Sequence, residues 1–383
     1  MSTLFVNGTL HSTADPYATA MLVDSGSVAW VGAEDTAASM RARSGADWQV
    51  VDLDGALVVP AFVDSLVLPS SPARPPATDA GPLTHVENAG SAGVFLSVTG
   101  GTAADADATA DARGTQVIHY RAVGAHEAAG TAQDLAALVS ADAVAGLSAV
   151  VGPGGLDAAA VARLASTATA AGIQVYLLPE DPDALAAVIS ALRSTAEAQG
   201  TAALGMVRHR LSWNGPVEHD AIQTLAANSV SFTAVPDADG ALTAPIASLL
   251  SNAVPVSFGS GSHIPDLWSA IRASLEHADP DQRISARSGF TAATKAGLRA
   301  LPMSIGAGFS MAGRIAPSSP ATFGVWTAEA LSVQAPDGRV AAWSTDTRAG
   351  TPLLPVLEAG TAAPECLATL VDGTEVYRSP AWA

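Results

Sequence analysis

The run Val59-Pro60-Ala61-Phe62-Val63-Asp64-Ser65-Leu66-Val67-Leu68-Pro69 (VPAFVDSLVLP) decides the architecture of this 383-residue chain. It is an apolar, strand-like stretch that runs into a loop, and the sequence changes pattern around it. Before it, short apolar runs alternate with turn residues: Leu4-Phe5-Val6 with Asn7-Gly8, Ala20-Met21-Leu22-Val23 with Asp24-Ser25-Gly26, then Val28-Ala29-Trp30-Val31-Gly32. Asn-Gly between such runs signals a hairpin, so the segment up to Leu53 reads as a small antiparallel sheet. After it, strand-like runs alternate with alanine-rich helical stretches.

The spacing predicts strands at 57–63, 94–98, 116–123, 146–151, 173–178, 204–211, 231–235 and 255–259. Helices are expected at 158–171 after Asp157, at 184–199 after Asp183 and at 267–277 after Asp266, where an aspartate N-cap precedes amphipathic spacing. A doubly wound open sheet gives a similar alternation, but the eight-fold count favours a (β/α)8 TIM-type barrel. Residues 69–82 (PSSPARPPATDAGP) read as an irregular loop. Strand-and-turn patterning returns at 313–326 and 367–378, with Asp372-Gly373 between LATLV and TEVYR. The class is therefore α/β: a barrel over 56–311, with a small discontinuous β-sandwich formed by both termini, 1–55 and 312–383.

Composition excludes several partners. Thirty-six acidic against 18 basic residues give a net charge of −18, which opposes nucleic acid and anionic lipid. Apolar residues make up 49% of the chain, but no apolar run approaches the ~20 residues a membrane span needs. The N-terminus, MSTLFVNGTL, lacks a basic region followed by an apolar one, so a cytoplasmic location is expected. The single cysteine, Cys366, allows no disulfide within the chain and reads as inert.

From end to end, LFVNGTLHSTADP, VAWVG, VVDLDGALVVPAFVD, AGRIAPSSPATFGVW and LATLVDGTEVYR resemble the amidohydrolase superfamily, in particular its exoenzyme-like amidohydrolase 3 branch. The resemblance implies a (β/α)8 barrel holding one or two divalent metals at the C-terminal ends of its strands. There a metal-bound water attacks an amide, lactam or amidine carbon. The family's strand 1 ends in F-V-D-x-H-x-H, and this chain has Leu66 and Leu68 where the histidines stand. Its V-H-A-x-G-D becomes Val175-Tyr176-Leu177-Leu178-Pro179-Glu180, its H-R-I-E-H becomes His209-Arg210-Leu211-Ser212-Trp213, and its G-S-D becomes Gly259-Ser260-Gly261. Tyr176, Trp213 and Gly261 thus occupy positions that the family gives to two ligand histidines and the aspartate base. The bridging lysine of many relatives has no counterpart in Gly146-Leu147-Ser148-Ala149-Val150-Val151.

What chemistry remains rests on scattered residues. His11, His219 and His277 read as exposed and structural, and His85 sits beside the irregular loop. Period-two geometry points His209 and Trp213 into the barrel, with His209 near Asp64 in a satisfied polar layer. The facing of His119 is open. His126-Glu127 follows strand 3, and His263, two residues past Gly261, is the histidine best placed to line the mouth; Glu180 is its candidate partner. Gly152-Pro153-Gly154-Gly155 lacks the ending of a phosphate loop and reads as a capping turn, and Gly306-Ala307-Gly308 as a plain turn.

The sequence therefore reads as a degenerate, metal-free and cofactor-free amidohydrolase relative with a binding or regulatory role. Its vacated pocket is Leu66, Leu68, Tyr176, Trp213, Gly261 and His263, suited to a small neutral ligand. The alternative is an active hydrolase of carbon-nitrogen bonds with a relocated site near His263, Glu180, His126 or His119. A third reading is a subunit supporting an active paralogue. Ligand identity and oligomeric state, a homo-oligomer included, are left open.

Overall fold

In the computed structural model, strands β1 (Thr3–Val6), β3 (Ala20–Asp24), β4 (Ser27–Gly32) and β5 (Gln49–Asp52) form one sheet in the order β4-β3-β1-β5. The structure describes residues 2–45, 47–68, 89–101, 114–261, 264, 266–334, 343–344, 351–358 and 360–382. The expected loop at 69–82, His85 and His263 lie outside them. Within this first sheet β1 runs parallel to β5, so the sheet is mixed, not antiparallel. Asn7-Gly8 is not a hairpin either. Both edges of β1 are taken by β3 and β5, so β2 (Thr9–Leu10) crosses to a second sheet and pairs with β6 (Leu57–Pro60). The tight turn is instead between β3 and β4, where Ser25 and Gly26 have φ of 50° and 77°.

The barrel strands follow: β7 (Phe62–Val67), β8 (Val94–Gly101), β9 (Gln116–Ala122), β10 (Gly146–Val151), β11 (Val175–Pro179), β12 (Arg210–Ser212), β13 (Ser231–Ala234) and β14 (Val256–Phe258). They pair in parallel in chain order. The ring closes beyond β14, where Leu68 N donates to Gly261 O (3.1 Å) and Gly261 N to Leu66 O (2.9 Å). The eight-fold alternation is thus a (β/α)8 barrel. Outward residues of the strands, such as Leu147, Leu177, Leu211 and Phe232, bury against helices that include Val161, Leu164, Val188 and Leu192. Full burial of such a side chain is worth about 1.5–3 kcal/mol, so this layer carries much of the stability.

The aspartate caps are present. Asp157 Oδ1 accepts from Ala160 N (2.7 Å) and starts Ala158–Ala171; Asp266 Oδ1 accepts from Ser269 N (2.9 Å) and starts Leu267–Leu275. For Pro182–Gln199 the cap is Asp181 rather than Asp183, because Pro182 takes the first helical position, where its missing N–H costs nothing. The expected strand at 57–63 is two strands. Pro60 cannot donate to a continuing ladder, and the chain passes there from the terminal sheet into the barrel. The expected strand at 204–211 is mostly helix. Thr201–Val207 (TAALGMV) is rich in good helix formers, Arg208 ends the helix at φ 56°, and only Arg210–Ser212 is strand.

After the barrel come β15 (Phe323–Trp326), β16 (Leu331–Gln334), β17 (Trp343–Ser344), β18 (Leu354–Pro355), β19 (Cys366–Val371) and β20 (Thr374–Arg378). The second terminal sheet runs β2-β6-β15-β19-β20, so strands from both ends of the chain share it. Asp372-Gly373 makes the β19–β20 turn with φ of 48° and 74°. Phe5, Met21 and Val28 of the first sheet bury against Leu10, Val58, Phe323 and Leu370 of the second, giving a sandwich. Trp326 clasps the sandwich to the barrel, its ring 5.6 Å from Phe62 and 5.7 Å from Trp268. Among the described residues, no helix is long and apolar enough to cross a membrane.

Candidate functional site in the barrel lumen

Alternation along the strands sets what faces the lumen. Leu66, Tyr120 and Tyr176 are fully buried in one inner cluster, with half-buried Leu68 and Leu178 beside it. Leu66 lies directly against the end of β14: a Cβ on Gly259 would stand 2.8 Å from Leu66 N and O. Gly261, at φ 60°, turns there to close the ring. Asp64 is buried, and its carboxylate accepts from Ser260 N (2.9 Å), Ser260 Oγ (2.5 Å) and Leu66 N (3.3 Å). Burial pushes this carboxyl up to about 6 against the pull of those hydrogen bonds.

On β12 the inward residue is Arg210, not His209. Its guanidinium is wholly buried and lies 4.3 Å from the Tyr176 ring centroid and 5.7 Å from that of Tyr120. Nη2 donates to Ser65 O (2.8 Å), which also accepts from the Tyr176 hydroxyl (3.1 Å). Among the described residues, no hydrogen-bond partner serves its Nε or Nη1. Burial drives the Tyr176 phenol up to about 12, so it is a donor throughout the physiological range. Arg210 is the lumen residue that sequence reasoning overlooked. Leu211 turns both its neighbours inward once it faces the helices, but a strand of only Arg210–Ser212 is too short for the sequence to fix that facing.

His209 accordingly faces the helical layer and does not meet Asp64. Its Nδ1 accepts from Val175 N (3.0 Å), which leaves Nε2–H to donate to Thr169 Oγ1 (2.9 Å), whose own hydroxyl donates to Ala165 O. Burial lowers its pKa to about 4. His11, expected to be exposed, is partly buried and contacts Phe290; burial lowers it to about 4 as well, helped by Lys295 and Arg287 and opposed by its bond to Leu353 O. Each imidazole is neutral when folded but protonates near 6.5 when unfolded. The unfolded state therefore binds more protons between about pH 4 and 6.5, and stability present above that window is lost as the pH falls through it. Asp64 works oppositely, its contribution being full below 3.8 and lost as the pH rises through about 6. We expect the unfolding free energy from urea titrations to fall from pH 6.5 to 4, with a shallower fall in His209→Gln, the difference reaching at most about 3 kcal/mol. Identical slopes in the two proteins would contradict this account.

The other sequence candidates are dispersed. Trp213 packs with the outer core, and its Nε1 donates to Pro216 O (3.1 Å), so it does not join Leu66, Leu68 and Tyr176. His119 sits on the face opposite Tyr120, its Nδ1 2.8 Å from Thr99 Oγ1. His126 is exposed on the short helix Ala125–Ala128, and Glu180, also exposed, accepts from Gly154 N (2.7 Å), which braces the Gly152–Gly155 turn. His277, expected to be exposed, is buried between Ala244 O and Asp279 O. Cys366 is held protonated, burial raising its thiol to about 11.

The metal implied by the family resemblance does not fit this donor set. Leu66 and Leu68 have no lone pairs, the Tyr176 hydroxyl is spent on Ser65 O, and Arg210 places a cation in the lumen. Among the described residues, no three His, Cys, Asp or Glu side chains come together as a ligand set.

No protein-family model matches the chain, and no curated protein matches it. Solved structures do. N-isopropylammelide isopropylaminohydrolase from Burkholderia multivorans is similar with a TM-score of 0.65 at 16% identity, over 100% of both chains. An amidohydrolase from a Sargasso Sea environmental sample matches at 0.65 and 16%, over 99% of this chain and 93% of its own. The zinc complex of atrazine chlorohydrolase from Arthrobacter aurescens matches at 0.64 and 15%, over 97% and 94%. From the terminal sandwich through the closed barrel, the chain has the fold of these hydrolases.

Proposed function

We propose that the chain is an amidohydrolase-superfamily protein whose barrel binds a small neutral or weakly polar ligand without a metal. One observation carries the reading: positions that the family gives to ligating histidines hold Leu66 and Tyr176, both fully buried and packed into one cluster. Arg210 does not change the ligand's expected charge, because it is sealed beneath the tyrosine rings and presents no charge to the mouth. Half-buried Leu68 and Leu178 are the apolar side chains left to meet a ligand there.

A second reading, hydrolysis of a carbon-nitrogen bond at a relocated site, is favoured by the comparisons, since the similar structures are named as hydrolases and one as an isopropylaminohydrolase. Its acid and base would come from His119, His126, Glu180 or His263, or from Asp64, whose raised pKa suits proton transfer near neutrality.

One experiment separates the two. Protein purified without added metal is analysed for zinc, melted with and without EDTA, and assayed on N-alkylated triazines. A metal that binds the native state raises its stability by RT ln(1 + [L]/Kd), so the metal-free reading expects no stoichiometric zinc and an EDTA-independent melting temperature. Retained zinc with EDTA lowering the melting point overturns it. EDTA-resistant turnover abolished by Asp64→Asn or Glu180→Gln establishes the second reading.

A further inference from the structure

At the end of the barrel opposite the mouth, where the N-termini of the strands lie, the helix Lys295–Ala300 and the segment after it border a cavity of about 410 Å³. That is the size of a metabolite pocket. Its wall includes Arg208, Lys295, Arg299 and Arg314, with Leu298 and Phe309, and no Asp or Glu among the described residues. In a chain with twice as many acids as bases, this concentration of cations runs against composition.

Two of the four have structural work. Arg208 donates to Arg299 O (3.0 Å) and Leu301 O (2.7 Å), tying the turn before strand β12 to the end of the helix, and Arg314 donates to Ser310 O (2.6 Å) and Met311 O (3.2 Å). Those carbonyls fix the guanidinium groups but do not cancel their charge. Among the described residues, buried Arg208 Nε has no hydrogen-bond partner. Among the described residues none of the four cations forms an ion pair. Lys295 carries the consequence: burial lowers its pKa, and the charges of Arg314, Arg299 and Arg287 lower it further. Lys295, Arg314 and Arg287 also line an adjoining cavity of about 100 Å³, so the positive surface is continuous. Like charges gathered in a partly desolvated recess repel, and a bound anion is what relieves them.

We infer that this cavity is a binding site for a small soluble phosphate ester. Its phosphate sits among Lys295, Arg299 and Arg314, and its apolar body lies against Leu298 and Phe309. Arginine and lysine donors suit phosphate oxygens, and the apolar part of the wall distinguishes an organic phosphate from the bare ion. Leu298 and Phe309 also pack in the cluster that holds Leu66 and Tyr176, so the cavity adjoins that cluster, but none of its four cations enters the proposed function and the assignment does not rest on it.

The full-length protein is titrated calorimetrically with phenyl phosphate and with inorganic phosphate, against sodium chloride at matched ionic strength. Melting temperature is followed in parallel. Saturable binding of phenyl phosphate is expected, tighter than inorganic phosphate, with a rise in melting temperature that chloride does not give. Arg299→Gln and Lys295→Gln should each weaken it by at least about tenfold. Their ligand-free melting temperatures should hold or rise, because repulsion is relieved. Arg299 is exposed, and among the described residues its side chain makes no hydrogen bond, so its variant stays informative if Lys295→Gln misfolds. No heat beyond the chloride control, or undiminished binding in Arg299→Gln, overturns the assignment.

Discussion

Removal of residues 313–383 is expected to leave an insoluble or partly unfolded protein. The deletion takes out β15, which lies between β6 and β19 in the second terminal sheet, and so strips one whole edge of β6 of its hydrogen bonds. It also removes Phe323, Val325, Trp326, Leu370 and Ile315, all buried, from beneath the first sheet and from the barrel contact. At about 1.5–3 kcal/mol for each such side chain, the loss reaches the 5–15 kcal/mol that holds a whole domain folded. The barrel would not survive intact beside the damage, because Trp326 fills the space against Phe62, Trp268 and Gly93. Solubility after lysis and a calorimetric scan decide the matter: a soluble fragment with one cooperative transition would refute it.

The second large effect belongs to the lumen. The double variant Leu66→His, Leu68→His restores the family's histidine pattern on β7, yet it should yield no zinc-dependent hydrolysis. The restored pair would face Tyr176, Arg210 and the glycine end of β14, which offer no further ligand and no aspartate base. An imidazole at the fully buried position 66 also finds its polar neighbours already engaged: Ser65 O holds Tyr176 and Arg210, and Asp64 holds Ser260. The variant should lose roughly a few kcal/mol, most of it at position 66, since Leu68 is only half-buried. Urea denaturation gives the stability, and amide or lactam turnover with added zinc gives the activity. Unchanged stability, or measurable turnover, would sink this view of the lumen.

How much of this was legible in the sequence depends on how local each signal was. The barrel could be counted because most of its strands are short apolar runs and several helices open on an aspartate whose side chain caps them. The β19–β20 turn was legible from Asp372-Gly373 alone. The helix Glu34–Ser44 was not, because it buries only Ala37 and so shows no apolar stripe. Asn7-Gly8 misled because pairing depends on which strand edges are free, a property of the whole sheet. The facing of β12 was lost for a related reason: a three-residue strand after a helix carries too few alternations to fix its parity, and His209 and Arg210 exchanged roles. The cationic cavity was illegible in principle, since Arg208, Lys295, Arg299 and Arg314 come together only through the closing of the barrel.

The shared terminal sheet imposes a waiting time on synthesis. Strand β6 ends at Pro60 and its neighbour β15 begins at Phe323, so 262 residues must be made between them. At about 5–20 residues per second, that is roughly 13–50 s on the ribosome with Val58 and the open edge of β6 uncovered. Chaperone demand on the nascent chain should therefore be heaviest during elongation, and should end when the last strands emerge.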